Sequence, residues 1–272
     1  MLRDITIGQY IAGNSPVHKM DARVKILASL LFIIILFVAR GVLEYALITI
    51  FLAFVIKISK VPLKFMLRGL KPMLFILVFT VLVNVLLTDG TPLFLVDLKV
   101  FTLKVTEEGL TMGIYMLLRL VYLVIGTSVL TLTTSPLMLT DGIEKLLKPL
   151  RVIKVPSHEI AMMMTIAIRF VPTIAEEADK IMKAQTARGA DFESGSLIRR
   201  AKAMIPLLVP LFVSSFRRAD DLAVAMDSRC YNGGENRTRM KEMKMTCRDA
   251  VASIVMLIFA GLLVFLNICV RG

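Results

Sequence analysis

Apolar positions gather in blocks along the chain. Residues 250–270 are uncharged over 21 positions, residues 72–88 over 17, and residues 109–140 are interrupted by Arg119 alone. A helix needs about 20 apolar residues to cross bilayer hydrocarbon, so each block predicts a membrane span. Between Lys25 and Lys57, apolar stretches at 26–39 and 45–56 are divided by Arg40, Gly41 and Glu44. That spacing predicts two shorter spans joined by a tight turn, with the flanking charges snorkelling to the interface.

Residues 135–249 read differently, with charge throughout and a helical period. Ser135 and Pro136 suit a helix start, and Ile143, Leu146, Leu147 and Leu150 give that short helix one apolar face. Ser157 is a candidate cap for a helix from His158 to Arg188, kinked at Pro172 and roughly 45 Å long, with Gly189 as its C-cap. A third helix of similar length is predicted from Leu197 to Arg229, broken or bent by Pro206 and Pro210. Its stretch 204–216 and the stretch 160–168 before it carry no charge. Both are too short to span, so they are expected to lie against the membrane bundle or each other.

The pattern predicts an all-α polytopic membrane protein of about five transmembrane helices, with a cytoplasmic coupling domain of long crossed amphipathic helices. The expected division is 1–134 (about four spans), 135–249 (the coupling domain) and 250–272 (a C-terminal span). Composition agrees: 57% of the 272 residues are hydrophobic and mean hydropathy is +0.76, more apolar than a soluble domain of this length. Yet 33 Lys+Arg and 21 Asp+Glu must lie largely outside the hydrocarbon.

Charge also orients the spans. Lys57, Lys60, Lys64, Arg68 and Lys71 form a basic stretch without acids, expected on the cytoplasmic side. Asp89, Asp97, Glu107 and Glu108, against Lys99 and Lys104, are expected outside. This places the N-terminus and coupling domain in the cytoplasm and the C-terminus outside. Positive-inside loops account for the net charge of +12, so no nucleic-acid partner is implied. Cys230, Cys247 and Cys269 have no paired spacing, and the polar first 20 residues lack the layout of a cleaved signal peptide.

The two long helices end alike. Ala184-Gln185-Thr186-Ala187-Arg188-Gly189 and Ala225-Met226-Asp227-Ser228-Arg229-Cys230 share Ala, two variable residues, a small residue, Arg and another small residue. A cation beside a left-handed cap is a favourable helix end and explains one such tip. The repetition points further, to a guanidinium left exposed between small neighbours, able to enter an acidic groove on a partner. Cys230 fits a left-handed cap less well than Gly.

Other features allow milder readings. His158-Glu159-Ile160-Ala161-Met162 begins like a zinc-protease helix but has Met162 where the second His belongs, so no metal or catalytic site is expected and His158 caps or packs at a helix start. Met162, Met163 and Met164 are an adaptable surface or ordinary packing. Arg119 is a functional intramembrane charge or a pairing, snorkelling one. Glu176, Glu177, Asp220 and Asp221 form a solvated face or pair across crossed helices. No G-x-x-x-x-G-K-[ST] loop is present, so no ATP-binding or other cofactor site is expected on this chain.

Taken together, Thr134-Ser135-Pro136, Leu139-Thr140-Asp141-Gly142-Ile143-Glu144, Arg169-Phe170-Val171-Pro172-Thr173, Glu176-Glu177, the segment from Ala184 to Phe192, Phe216-Arg217-Arg218-Ala219-Asp220-Asp221, and the opening Gly8-Gln9-Tyr10 with His18-Lys19-Met20-Asp21-Ala22-Arg23 resemble one family. It is the transmembrane (T) component of energy-coupling factor transporters, ABC-type importers of vitamins and trace nutrients, and the resemblance covers nearly the whole chain. It implies a non-catalytic scaffold in a prokaryotic plasma membrane. Its partners would be two ABC ATPase subunits, which hold the ATP and Mg, and a membrane-embedded substrate-binding (S) component. It implies that Arg188, within an intact Ala187-Arg188-Gly189, docks into one ATPase. Arg229, between Ser228 and Cys230 where the family has Ala and Gly, would dock into the other. A dedicated cobalt or nickel importer subunit is the nearest alternative; a membrane enzyme or an ATP-independent scaffold are more distant ones.

Overall fold

The computed structural model describes residues 10–88, 91–98, 101–149, 156–192, 194, 196–233 and 245–271. Helices dominate, as the periodicity predicts: α1 Ala22–Val38, α2 Val42–Ser59, α3 Leu63–Arg68, α4 Leu74–Leu87, α5 Glu107–Thr133, α6 Pro136–Leu147, α7 Ser157–Ala187, α8 Leu197–Asp227 and α9 Cys247–Arg271. An antiparallel hairpin, β1 Pro92–Leu98 and β2 Phe101–Thr106, interrupts them. It lies in the segment expected to be an outward loop. The described residues divide into two compact units, 10–142 with 245–271, and 143–233. One break between them falls inside α6.

In the first unit, α1, α2, α5 and α9 share a core of Phe32, Leu36, Ile48, Leu52, Tyr122, Met256 and Phe259, with the Phe51 and Phe259 rings stacked 4.0 Å apart. Gly126 makes the α1–α5 approach possible, since a Cβ there would stand 2.4 Å from the Phe32 ring. A smaller cluster of Val61, Met66, Val129 and Leu132 is buried beside it, and many of the remaining apolar side chains face outward. Phe75 is 78% exposed, and Val78, Phe79 and Leu82 beside it are exposed as well. A surface of this kind is unfavourable in water and suits lipid.

Five helical segments are long and apolar enough to cross a membrane: Val42–Ser59, Leu63–Leu86, Glu107–Thr133, Ser157–Ala187 and Cys247–Cys269. The number agrees with the expected five, but the membership differs. The 17 residues of α1 fall just short in length, while α7, expected outside the bilayer, is the least apolar of the five.

Three local expectations need correction. Glu44 does not snorkel: it is buried, and its Oε2 accepts from the Arg40 and Gly41 amides at 2.5 and 3.4 Å, closing the α1–α2 turn from within. A carboxylate that satisfies the free amides of a helix start is stabilised there. The basic stretch from Lys57 to Lys71 is not a loop but contains α3 and a 3-10 turn leading into α4. Ser157 does not cap α7; it is the first helical residue and buried, with Pro156 before it and no side-chain cap bond. The expected cap of α6 does form, Ser135 Oγ accepting from the Met138 amide at 3.4 Å. Leu150 lies outside the described residues.

A polar strap ties the segment before α1 and the start of α1 to the end of α5 and the start of α9. Buried Lys25 donates through Nζ to the carbonyls of His18 and Thr133 at 3.3 and 3.0 Å and to Thr134 Oγ1 at 3.2 Å. Asp249, also buried, accepts from the amides of Asp21 and Thr246 at 2.8 Å each. A buried cation is tolerated only when its donors are matched, and here all three ammonium protons find oxygen.

Candidate functional site

The second unit carries the two helix tips. Helix α7 runs through Pro172, and α8 runs unbroken through Pro206 and Pro210. Each proline removes a donor from its helix without ending it. Thirty-one residues apiece give lengths of about 45 Å.

The repeated sequence at the tips is a repeated geometry. At the end of α7, the Ala190 amide donates to Gln185 O and the Gly189 amide to Thr186 O, both at 2.9 Å. At the end of α8, the Tyr231 amide donates to Met226 O at 3.1 Å and the Cys230 amide to Asp227 O at 2.9 Å. Both are the paired closing bonds of a Schellman motif. It needs a left-handed residue, and the structure supplies Gly189 at φ 89° and Cys230 at φ 54°. Arg188 and Arg229 each directly precede that residue, and both are exposed, as are Ala187 and Ser228. The backbone turns away after each arginine, so a guanidinium is presented at a helix end with no larger neighbour beside it in sequence.

Helices α7 and α8 are joined by an ion pair, Arg218 Nη2 to Glu177 Oε2 at 2.6 Å. The offset between these two residues is 41, the same as between Arg188 and Arg229. Each arginine tip therefore lies 11 residues beyond its end of the ion pair. The two helices have equal lever arms of about 16 Å past the pair. Beside it, Ile166, Phe170 and Ile174 of α7 face Ala219, Leu222 and Met226 of α8 across an apolar groove.

The other candidates divide. Glu177 pairs across the helices, one of the two readings its position allowed. Glu176, Asp220 and Asp221 are exposed and make no ion pair among the described residues. Arg119 belongs to the other unit. Its Nη2 donates to Ala39 O, the C-cap carbonyl of α1, at 3.0 Å, and its guanidinium lies 5.6 Å from the Phe37 ring. This is a pairing role: the cation satisfies a carbonyl at the negative end of a helix. His158 Nδ1 contacts Glu144 Oε1 at 3.1 Å, linking α7 to α6. Met163 and Met164 are exposed, as are Met204, Ile205, Leu208, Val209, Phe212, Val213 and Phe216 of α8. Among the described residues, no group of three or more His, Cys, Asp or Glu could hold a metal ion.

Arg218 is not among the expected site residues. The signal for it was available, because the 41-residue offset that relates the two arginine tips also relates Arg218 to Glu177.

Residues 13–241 match the family described as cobalt transport protein. Curated relatives carry a more specific description, energy-coupling factor transporter transmembrane protein EcfT. The one from Clostridium kluyveri is 56% identical over 260 residues, covering 95% of each chain. The one from Thermosediminibacter oceani is 55% identical over 253 residues, covering 93% of this chain and 94% of the relative. The one from Bacillus subtilis is 47% identical over 267 residues, covering 98% and 100%.

Proposed function

The chain belongs to the family of transmembrane proteins of energy-coupling factor transporters, and from that premise we propose that its two arginine-tipped helices dock two cytoplasmic ATPase subunits and carry their motion to a substrate-binding membrane partner. It is a multi-pass membrane protein and a component of such a transporter. A cobalt importer is no better supported, since the close relatives are described by energy coupling rather than by cobalt.

One observation carries the reading: two helices of equal length end in the same hydrogen-bonded motif, each with an exposed arginine just before a left-handed residue. A guanidinium held this way can form a paired contact with a carboxylate in a groove too narrow for a bulkier helix end. In this reading ATP and Mg act on the ATPase subunits. Their closure moves Arg188 and Arg229 relative to one another, and the Glu177–Arg218 pair is the point about which α7 and α8 turn. Rigid helices pass that turn to the exposed apolar stretch 204–216 and to Met163 and Met164, which grip a vitamin-binding membrane subunit. The tips and the basic stretch from Lys57 to Lys71 face the cytoplasm and the C-terminus faces outward.

The test is co-purification from the host with Arg188→Glu, Arg229→Glu and the double variant, together with vitamin uptake. The reading expects ATPase subunits with the native chain, fewer with each single variant and none with the double one, uptake falling in step. Full retention of ATPase partners and uptake by the double variant would overturn it.

A further inference from the structure

The first unit contains an apolar cavity of about 510 Å³ among α1, α2, α5 and α9. Its walls include Phe32, Phe51, Leu52, Val129, Ala252 and Met256, and its polar surface is slight. Along α9 the lining runs from Cys247 to Met256, along α2 from Phe51 to Ile58, and along α1 from Lys25 to Phe32. At 1.5 Å per residue these give a depth of about 10–14 Å. That is close to one leaflet, half of a hydrocarbon core of about 30 Å.

Charge is confined to one end. Lys25 and Arg248 line the cavity, and every other lining residue is uncharged. Lys25 is saturated by its three oxygen acceptors. Arg248 is exposed and makes no ion pair among the described residues. The other polar lining groups are spent locally, with Ser29 Oγ donating to Ile26 O and Thr133 Oγ1 to Val129 O. The cavity thus offers an occupant an apolar slot one leaflet deep, with a single available cation at its mouth.

We propose that this cavity holds one acyl chain of an anionic phospholipid, with its phosphate at Arg248. Length favours it, because a single chain of the leaflet at which α1 begins has the reach of the slot. The basic mouth favours an anionic head over a zwitterionic one, through the attraction that draws Lys and Arg to acidic lipid. Lipid fills the space beside Gly126, where the close approach of Phe32 prevents a side chain from growing on α5.

The experiment uses the transporter complex purified in detergent from nanodiscs of phosphatidylcholine with a minority of phosphatidylglycerol. Retained lipid per chain is counted by native mass spectrometry. The native chain is expected to keep one phosphatidylglycerol, enriched over its share of the disc. Arg248→Glu should lower retention by about fivefold or more, the loss of one cation near an acidic head group. Arg248→Lys should largely preserve it. Ala252→Phe, which fills the slot and leaves Arg248 in place, should also displace it. A monodisperse elution profile establishes that each variant is folded. Retention at the native level by both Arg248→Glu and Ala252→Phe, retained lipid matching the bulk disc, or a cross-link from Ala252→Cys into a neighbouring subunit's helix would each overturn the proposal.

Discussion

Reversing the charge of Glu177 should loosen the crossing of α7 and α8 and spread the distance between the two tips. The native contact is short, 2.6 Å, but its side chains are 24% and 36% exposed for Glu177 and Arg218. Water screens it, so the full Coulomb energy of a buried pair does not apply. Measured pairs of this exposure contribute about 0.2–1 kcal/mol, and the short charge-assisted bond places this one near the upper end. About 1 kcal/mol corresponds to roughly a fivefold change in an equilibrium constant. The mechanical consequence is larger than the energetic one. With arms of about 16 Å beyond the pair, a rotation of about 10° moves each tip about 3 Å, enough to break a docked hydrogen bond. The assay places spin labels at Thr186→Cys and Asp227→Cys, positions related by the same offset of 41, in a chain whose three native cysteines are replaced. Pulsed distance measurements are made on Glu177→Arg, on Arg218→Glu and on the double exchange. Each single variant should broaden the distribution by several ångströms, and the exchange should narrow it again. If the single variants match the native distribution, the pair is not the pivot and the equal lever arms are incidental.

The remaining predictions concern the caps and the buried polar groups. Cys230→Gly should stabilise the α8 tip by roughly 1 kcal/mol, since a side chain at positive φ is strained, and Gly189→Ala should destabilise the α7 tip; thermal unfolding of the complex checks both. A Cβ at Gly189 meets nothing within 4 Å, so the cost of that alanine is purely conformational and comes without a clash. Arg119→Met should lower the melting temperature through the orphaned Ala39 carbonyl, at a cost of about 1–3 kcal/mol, while leaving ATPase binding intact. Lys25→Met should cost more, about 2–4 kcal/mol, because it strands the His18 and Thr133 carbonyls and Thr134 Oγ1 at once; loss of monodisperse protein at growth temperature is the readout.

Much of this architecture was legible in the chain because the bilayer imposes a strong rule, that apolar length must match a fixed thickness. The blocks that became α4 and α9 followed from it within a few residues, and the block at 109–140 gave α5 but ran on into α6. The rule is weaker where length is marginal. Helix α1, at 17 residues, is at the short end of what crosses a bilayer, and α7 is amphipathic yet apolar along much of its length. The β1–β2 hairpin obeys no such length rule, and residues 92–106 stand out in the sequence only through their charges. The tips were legible because Gly189 and the matching Cys230 report a backbone conformation directly. The buried roles of Glu44 and Lys25 are not legible in the sequence, since nothing in it shows that a backbone amide or carbonyl waits within reach. Those partners come from Arg40 and Gly41 in one case, and in the other from His18 nearby and from Thr133 and Thr134, more than 100 positions away. Arg218 needed only the offset of 41 to be applied a second time.

The docking of the arginine tips is tested most directly by titrating the purified ATPase pair onto the nanodisc-embedded chain. Truncating a buried charged contact of this kind costs about 2–5 kcal/mol, so Arg188→Ala and Arg229→Ala should each weaken binding by at least about thirtyfold. The double variant should bind too weakly to measure. Affinities within about twofold of native for both single variants and the double would contradict the account.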